Sequence, residues 1–170
     1  MKIKLLKENA TVPTLGSAEA AGYDLYACLN KEISILPHET IKVGTGIAVE
    51  IPKGYFGGLF ARSGLALKKG LRPGNCVGVI DSDYRGEVIA AIHNDSDEPQ
   101  TIQPNERIAQ LIILPYERVE LEVVDDLDDT KRGDGGFGST GSWLVKQSNR
   151  ICNFWRWKFN RLRKIWIIGR

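Results

Sequence analysis

Glycine and proline interrupt this chain so often that long helices are excluded from most of it. The 170 residues include 18 glycines and 7 prolines, and no long run with a 3.6-residue apolar period occurs before residue 142. Gly and Pro are unfavourable inside helices but supply the turns that connect short strands. The sequence therefore predicts an all-β fold with one hydrophobic core and an appendage, because this length suffices for one domain but not for two full ones.

The stretch from Gly74 to Val88, GNCVGVIDSDYRGEV, predicts a β-hairpin. Apolar residues run up to Ile80, stop at a polar corner and resume at Val88. The corner carries Asp81 and Tyr84. A carboxylate on a rigid strand pair beside an aromatic ring can orient a water molecule and receive a flat ligand.

A second candidate site is the junction Arg62-Ser63-Gly64. Here a predicted strand ends at Ala61, and a short helical turn follows that Gly70 closes. A helix start has free backbone N–H groups, and an adjacent arginine adds a forked cation, so the junction suits an oxyanion. An ordinary N-cap serine beside a surface arginine is the alternative interpretation.

Two polar side chains interrupt predicted strands. Gln110 lies within the apolar run Ile108 to Pro115, and Asp24 alternates with Tyr23 and Leu25. A buried amide or carboxylate must find partners. Gln110 is therefore either satisfied internally or faces a site, and Asp24 is either a solvated strand residue or part of that site.

The segment from Thr130 to Gly141 contains five glycines in its last nine residues. Such a segment loses much backbone entropy on ordering, so it predicts a mobile arm that orders on a ligand. Its backbone N–H groups, hydroxyls and Arg132 suit a phosphate. It is not a Walker A loop, because no Gly-Lys-Ser/Thr follows. A glycine-rich linker without a ligand is the alternative.

Charge divides the chain unevenly. Residues 1–141 hold 15 Lys+Arg and all 21 acidic residues, a net 15 − 21 = −6, whereas residues 142–170 hold eight basic residues and no acidic one. All four tryptophans also lie in this last part. We therefore predict a β domain at 1–129, the arm at 130–141 and a basic aromatic tail at 142–170.

The cysteines and the N-terminus predict a cytoplasmic protein. Cys28, Cys76 and Cys152 are odd in number and lack metal-ligand spacing, which favours reduced thiols. The N-terminal MKIKLLKENA has no apolar run long enough for a signal peptide.

Five segments, taken together, resemble the five sequence motifs of the trimeric deoxyuridine triphosphatases (dUTPases). In chain order they are AGYDLYA, GLFARSGLALKKG, GNCVGVIDSDYRGEV, RIAQLIILP and RGDGGFGSTG. The resemblance covers residues 2–141 and implies a jelly-roll-like β-barrel. It further implies a homotrimer with sites at the subunit boundaries, and hydrolysis of dUTP to dUMP and diphosphate with Mg²⁺ on the triphosphate.

The resemblance also implies roles for single residues. Asp81 is similar to the carboxylate that orders the attacking water, and Tyr84 to the ring under the deoxyribose. Phe137 resembles the residue that stacks on uracil, and Asp24 an acid near the metal-bound waters that is not itself a metal ligand. The implied contacts to uracil are Asn75, Gly78, Val79, Ile80 and Ile89. The implied contacts to the phosphates are Arg62, Ser63, Gly64, Arg132, Gly138, Ser139 and Thr140. Gln110 resembles a residue that makes a polar contact to a phosphate or to water.

Two further hypotheses share this fold. One is a dCTP deaminase, which the RSGLALKKG and arm motifs favour less than the hydrolase. The other is a trimeric, dUTP-responsive binding module or regulator without enzymatic activity. Diphosphate release, ammonia release and binding without turnover distinguish the three.

The tail from residue 142 to 170 lies beyond the resemblance. On a helix it presents one apolar arc and one basic face, which suits an anionic membrane surface or a nucleic-acid backbone. The apolar arc comprises Ile151, Phe154, Trp155, Phe159, Leu162, Ile165 and Trp166. An extension whose pattern is accidental is the alternative.

Overall fold

The computed structural model describes residues 1–137 and residue 139, and the chain divides into two units, Met1–Leu121 and Glu122–Arg170. Twelve strands and one helix lie in the described part of the chain, all in the first unit. The strands are β1 Lys2–Leu5, β2 Thr14–Leu15, β3 Tyr23–Tyr26, β4 Ile33–Ile35, β5 Thr40–Gly44, β6 Ile47–Glu50, β7 Tyr55–Phe60, β8 Leu71–Pro73, β9 Gly78–Ile80, β10 Ile89–Asn94, β11 Gln100–Ile102 and β12 Arg107–Pro115. The helix, α1, spans Ser63–Lys69 between β7 and β8.

The strands form four antiparallel sheets. The largest has five strands in the order β2-β3-β12-β7-β9, and the next has the order β5-β10-β8. Two strand pairs, β1-β6 and β11-β4, complete the set. The predicted all-β fold is confirmed, although these sheets are not joined into one hydrogen-bonded ring within the described residues.

The core lies between strands of the different sheets and is almost entirely aliphatic. Leu25 of β3 and Leu111 of β12 contribute from the large sheet, and Val43 of β5 and Ile92 of β10 from the three-stranded one; all four are fully buried. Burying aliphatic side chains of this size contributes about 1.5–3 kcal/mol each. The sheets are therefore a rigid support for the polar residues at their ends and edges.

The predicted hairpin around Asp81 is wrong in its pairing. β9 pairs with β7, whereas β10 pairs with β5 and β8, so the two strands belong to different sheets. The connection runs from residue 81 to residue 88, which is longer than the two to five residues of usual hairpin loops. This corner therefore links two sheets.

Helix α1 begins at Ser63, so Ser63 is not its N-cap. The N-cap is Arg62, with no side-chain capping bond, and Ser63 is the first helical residue. The predicted closure at Gly70 is confirmed: its φ is 65°, and its N–H donates to Ala66 O at 2.9 Å. A residue without Cβ adopts this left-handed conformation at little cost.

The described part of the second unit contains turns and no strand or helix. Arg132 Nε donates to Gly135 O at 2.7 Å, and Gly133 N–H donates to Thr130 O at 3.1 Å. Phe137 is fully exposed and has a positive φ of 47°. The predicted tail helix, Gly138 and Thr140 lie outside the described residues.

Candidate active site

A buried carboxylate with two arginines forms the first part of the site. Asp24, on β3, is only 6% exposed. Its Oδ1 accepts a hydrogen bond from Arg62 Nε at 2.7 Å, and its Oδ2 accepts from Arg62 Nη2 at 3.4 Å and from Arg107 Nη1 at 3.2 Å. Two guanidinium groups around one carboxylate leave a net charge of +1. We call these three residues the Asp24 cluster.

Strand register explains why the cluster forms. Gln110 of β12 is the register partner of Asp24 on β3 and of Phe60 on β7, so the three residues lie in one row across the sheet. Arg62 follows two residues after Phe60, where β7 has ended. Gln110 Nε2 donates to Ala61 O at 3.4 Å, a long bond that links the amide to the same junction. Asp24, Arg62 and Gln110 therefore lie together where β7 ends.

Arg107 is the member of the Asp24 cluster that the sequence does not predict. Gln110 and Arg107 are three positions apart, and in a regular strand residues at this separation point to opposite faces. The alternation of the sequence therefore gave no signal for Arg107. Only the observed contact with Asp24 assigns it to the cluster.

A basic cavity adjoins the Asp24 cluster. Its volume is about 390 Å³. Four of the lining side chains are cationic and one is acidic, and that acid, Glu106, is paired with Lys69 at 2.7 Å. The lining residues are Arg62, Gly64, Leu65, Lys68, Lys69, Glu106 and Arg107. The excess positive charge suits a polyphosphate.

The corner that carries Asp81 is a second, separate feature. Asp81 is exposed, and its carboxylate makes no hydrogen bond or ion pair with any residue in the described range 1–137. The corner itself is ordered: Tyr84 N–H donates to Asp81 O at 3.1 Å, and Tyr84 OH donates to Glu87 O at 3.1 Å. The Glu87 carboxylate in turn accepts from Gly46 N–H at 2.8 Å. Hydrogen bonds thus hold this turn in place, and the turn carries a carboxylate that is unpaired within residues 1–137.

Backbone groups beside this corner are available to a ligand. β9 is the last strand of its sheet, so one of its edges has no strand partner among the described residues. Val79 is 65% exposed and Ile89 is 45% exposed, whereas Gly78 is buried against Leu59. A Cβ on Gly78 would lie 3.0 Å from Leu59 Cβ and 3.3 Å from Asn75 Nδ2. Glycine therefore lets β9 approach β7 and leaves Asn75 next to the strand.

The structure does not bring all predicted site residues together within one chain. Asp81 lines a cavity of about 560 Å³ with Lys53, Gly54, Ser82, Asp83, Tyr116 and Arg118. Neither Arg62 nor Gly64 lines that cavity, and Asp81 does not line the basic one. Ser63 is exposed at the first position of α1.

The described residues include no cluster of three His, Cys, Asp or Glu side chains that could hold a metal ion. A carboxylate offers about four acceptor positions, and the two arginines occupy three of those on Asp24. One position remains, which fits a hydrogen bond to a metal-bound water better than direct ligation. No helix in the described part of the chain is long and apolar enough to cross a membrane.

Fold and cavity together indicate a β protein whose cationic cavity suits a phosphorylated ligand. The sequence profile of the dUTPase family matches residues 8–141. The chain belongs to the dUTPase family.

Relatives with curated descriptions agree with this assignment. The chain is 48% identical over 141 residues to the deoxyuridine 5′-triphosphate nucleotidohydrolase of Syntrophotalea carbinolica, covering 83% of this chain and 96% of the relative. It is 46% identical over 139 residues to the enzyme of the same name from a Hydrogenobaculum species, covering 82% and 96%. These matches confirm the predicted hydrolase: the protein is an enzyme that hydrolyses dUTP to dUMP and diphosphate.

Solved structures show the same fold. The dUTPase of Staphylococcus bacteriophage 80alpha with dUPNHPP has a TM-score of 0.75 and 32% identity, covering 83% of this chain and 98% of that chain. The dUTPase of phage phi11 of S. aureus has a TM-score of 0.67 and 28% identity, covering 76% and 98%. The family uses a divalent metal ion.

Proposed function

We propose that this dUTPase works as a homotrimer in which each active site combines the Asp81 corner of one subunit with the basic cavity of a neighbour. The separation of Asp81 from the basic cavity within one chain supports this proposal. Hydrolysis requires the water-orienting carboxylate and the phosphate-binding cations at the same phosphorus atom. In the proposed trimer, a second subunit supplies the basic cavity that the Asp81 corner lacks within its own chain.

In the proposed reaction, Asp81 orients a water molecule towards the α-phosphorus. The water oxygen forms the new P–O bond as Asp81 accepts a proton, and the bond between the α-phosphorus and the bridging oxygen breaks. The diphosphate leaves with the electron pair of that bond. Arg62, the backbone N–H groups at Ser63 and Gly64, and Gln110 hold the phosphates and stabilise the leaving charge.

The exposed edge of β9 is proposed to select the base. Backbone groups from Gly78 to Ile80 and at Ile89, with the Asn75 amide, bond to the edge of uracil. Cytosine exchanges a donor for an acceptor at position 4, which leaves a buried group unpaired at a cost of about 1–3 kcal/mol. Tyr84 packs under the deoxyribose and crowds a ribose 2′-OH.

Mg²⁺ is proposed to enter with the substrate as Mg·dUTP. This ion prefers oxygen ligands, keeps several waters and commonly binds through phosphates. Bound there, it would screen the charge of the triphosphate. Asp24 would accept a hydrogen bond from one of its waters through the acceptor position that the arginines leave free.

The C-terminal arm is proposed to close over the bound nucleotide. Phe137 stacks on uracil, and Arg132 and Ser139 contact the phosphates together with Gly138 and Thr140. The full exposure of Phe137 supports this role, because an exposed aromatic ring is available for stacking.

Mixing two inactive variants tests the shared site. Asp81→Asn damages the Asp81 corner, and Arg62→Ala damages the basic cavity. A mixed trimer therefore contains some sites in which both parts are undamaged. After equimolar co-refolding we expect about a quarter of wild-type turnover, because each half is intact with a probability of about one half. Diphosphate release from dUTP measures it, and a site contained in one chain predicts no recovery.

A matched control uses two variants of the same half. Arg62→Ala and Gln110→Ala both damage the basic cavity, so no arrangement of subunits restores an intact site. Recovery in this mixture would show that the assay reports something other than complementation.

The proposed base and sugar selection is tested by measuring diphosphate release by the wild-type enzyme from dCTP, dTTP and UTP.

Two further parts of the proposal concern the cellular location of the protein and the contacts of its tail. We propose a cytoplasmic location, which the unpaired thiols of Cys28 and Cys76 support. The tail at 142–170 lies beyond the family match and is proposed to contact an anionic membrane or nucleic acid. Truncation after Gly141 should leave dUTP turnover unchanged and abolish that contact.

A further inference from the structure

The corner at residues 81–88 is attached at its end to the turn between β5 and β6. Val88 is only 1% exposed, and its N–H donates to Ile47 O at 2.8 Å. The carbonyl of Val88 accepts a hydrogen bond from Thr45 Oγ1 at 2.6 Å. A buried backbone whose donor and acceptor are both bonded holds its position. The last residue of the corner is therefore fixed to the core.

The side chain of Glu87 makes a second attachment to the same turn. Its Oε1 accepts hydrogen bonds from Gly46 N–H at 2.8 Å and from Lys7 Nζ at 3.2 Å, and the side chain is 22% exposed. A Cβ on Gly44 would overlap this oxygen, so the carboxylate lies directly against the backbone of β5. Glycine at position 44 thus leaves the space through which Glu87 reaches the Gly46 N–H.

The backbone carbonyl of Glu87 holds the ring of Tyr84. The Tyr84 hydroxyl donates to Glu87 O at 3.1 Å, so the ring reaches past Gly86. A Cβ on Gly86 would overlap the hydroxyl oxygen and would lie 2.5 Å from Cζ of the ring. Glycine therefore lets the ring lie against the chain at residue 86, and the position of the ring depends on where Glu87 is held.

We propose that Glu87 is a positioning residue for sugar selection, which acts through Tyr84 on the exclusion of a ribose 2′-OH. The Glu87 carboxylate fixes the residue to the Gly46 turn, and its carbonyl fixes the Tyr84 hydroxyl. Exclusion by steric overlap requires a ring held to within about 0.5 Å, because a looser ring moves aside for one extra oxygen atom. This inference rests on the proposed packing of Tyr84 under the deoxyribose.

The test measures kcat and KM for dUTP and for UTP in Glu87→Ala. Losing the bond to the Gly46 N–H loosens the carbonyl that holds Tyr84, so the ratio of kcat/KM for dUTP over UTP should fall about 3- to 10-fold. The fall should come mainly from a higher kcat/KM for UTP, with KM for dUTP changing less than about threefold. Glu87→Gln keeps an oxygen acceptor for the Gly46 N–H and should retain the wild-type ratio to within about twofold.

Three further variants separate positioning from folding. Lys7→Met removes the ion pair with Glu87 but leaves the Gly46 bond, and it should leave the ratio unchanged because an exposed pair contributes little. Tyr84→Ala removes the ring, so adding Glu87→Ala to it should lower the ratio no further. Tyr84→Phe removes only the hydroxyl that bonds to Glu87 O. It should reproduce the loss seen in Glu87→Ala, and it serves as the test if Glu87→Ala does not fold.

The outcomes distinguish this inference from the proposed function. Equal losses for dUTP and UTP in Glu87→Ala, or an additive loss in the double variant, would show that Glu87 only supports the fold. Either result would overturn the inference, as would a wild-type ratio in Tyr84→Phe. A wild-type ratio in Tyr84→Ala would instead overturn the proposed sugar contact of Tyr84. Absence of dUTP turnover in the wild-type enzyme would overturn the proposed function.

Discussion

Two carboxylates of this enzyme occupy opposite environments. Asp24 is almost completely buried and accepts three hydrogen bonds from two arginines. Asp81 is exposed and makes no polar side-chain contact within residues 1–137. A carboxylate that is paired with two arginines holds them in position, whereas an unpaired one can still bind a water and take a proton. This difference supports the proposals that Asp24 has a structural role and that Asp81 takes part in the chemistry.

The largest expected effect is on turnover in Asp81→Asn. Removing a positioned general base should lower kcat by about 10²- to 10⁴-fold. The free energy of unfolding should change by less than about 0.5 kcal/mol, since the side chain is exposed and unpaired. Single-turnover kinetics and urea denaturation measure the two quantities. Near-normal turnover would show that Asp81 is not the catalytic carboxylate.

Asp24→Asn should affect stability as well as activity. It leaves two guanidinium groups without their shared carboxylate, and breaking a buried ion pair costs about 3–5 kcal/mol. Because Arg107 is half exposed, we expect a smaller loss of about 2–4 kcal/mol in the free energy of unfolding. Urea denaturation beside Asp81→Asn checks it. Equal stability of the two variants would contradict the structural role of Asp24.

The smallest expected effect is on the stability of Asp95→Asn. Asp95 is a third carboxylate, and it serves as a reference because it lies outside the two candidate site features. The hydrogen bonds from Arg72 lower the pKa of Asp95 below its ordinary value of about 3.9. A carboxyl with a lowered pKa in the folded state stabilises above its unfolded value, and the stabilisation is lost as the pH falls through the folded value. Asp95→Asn should therefore lower Tm slightly at pH 7 and not at all below the folded pKa. Thermal unfolding at several pH values measures this, and a difference that grows on acidification would contradict the sign.

Local patterns in the sequence predicted the features that depend on neighbouring residues. The helical turn at 63–69 and its closure by Gly70 follow from a run of helix formers ended by glycine. The predicted apolar strand with Gln110 is β12. These predictions succeeded because strand alternation and helix termination are set within a few residues.

Features that depend on distant residues were missed. β9 pairs with β7, about twenty positions earlier, and not with the strand that follows it. The pairing of β12 with β3 shifts register between Arg107 and Ala109, and this shift depends on how Ile108 and Ala109 pack against the rest of the core. Neither the pairing of β9 nor the register shift on β12 has a local signal in the sequence. Both are decided by which long-range contact buries more apolar surface.

The shortness of β9 has its own consequence for how the protein behaves in solution. An unpaired strand edge usually invites a foreign strand to add to the sheet and start aggregation. Three residues, followed at once by a turn, are too few to template such a ladder. The enzyme can therefore keep backbone donors and acceptors open to water and small molecules without becoming prone to self-association at that edge.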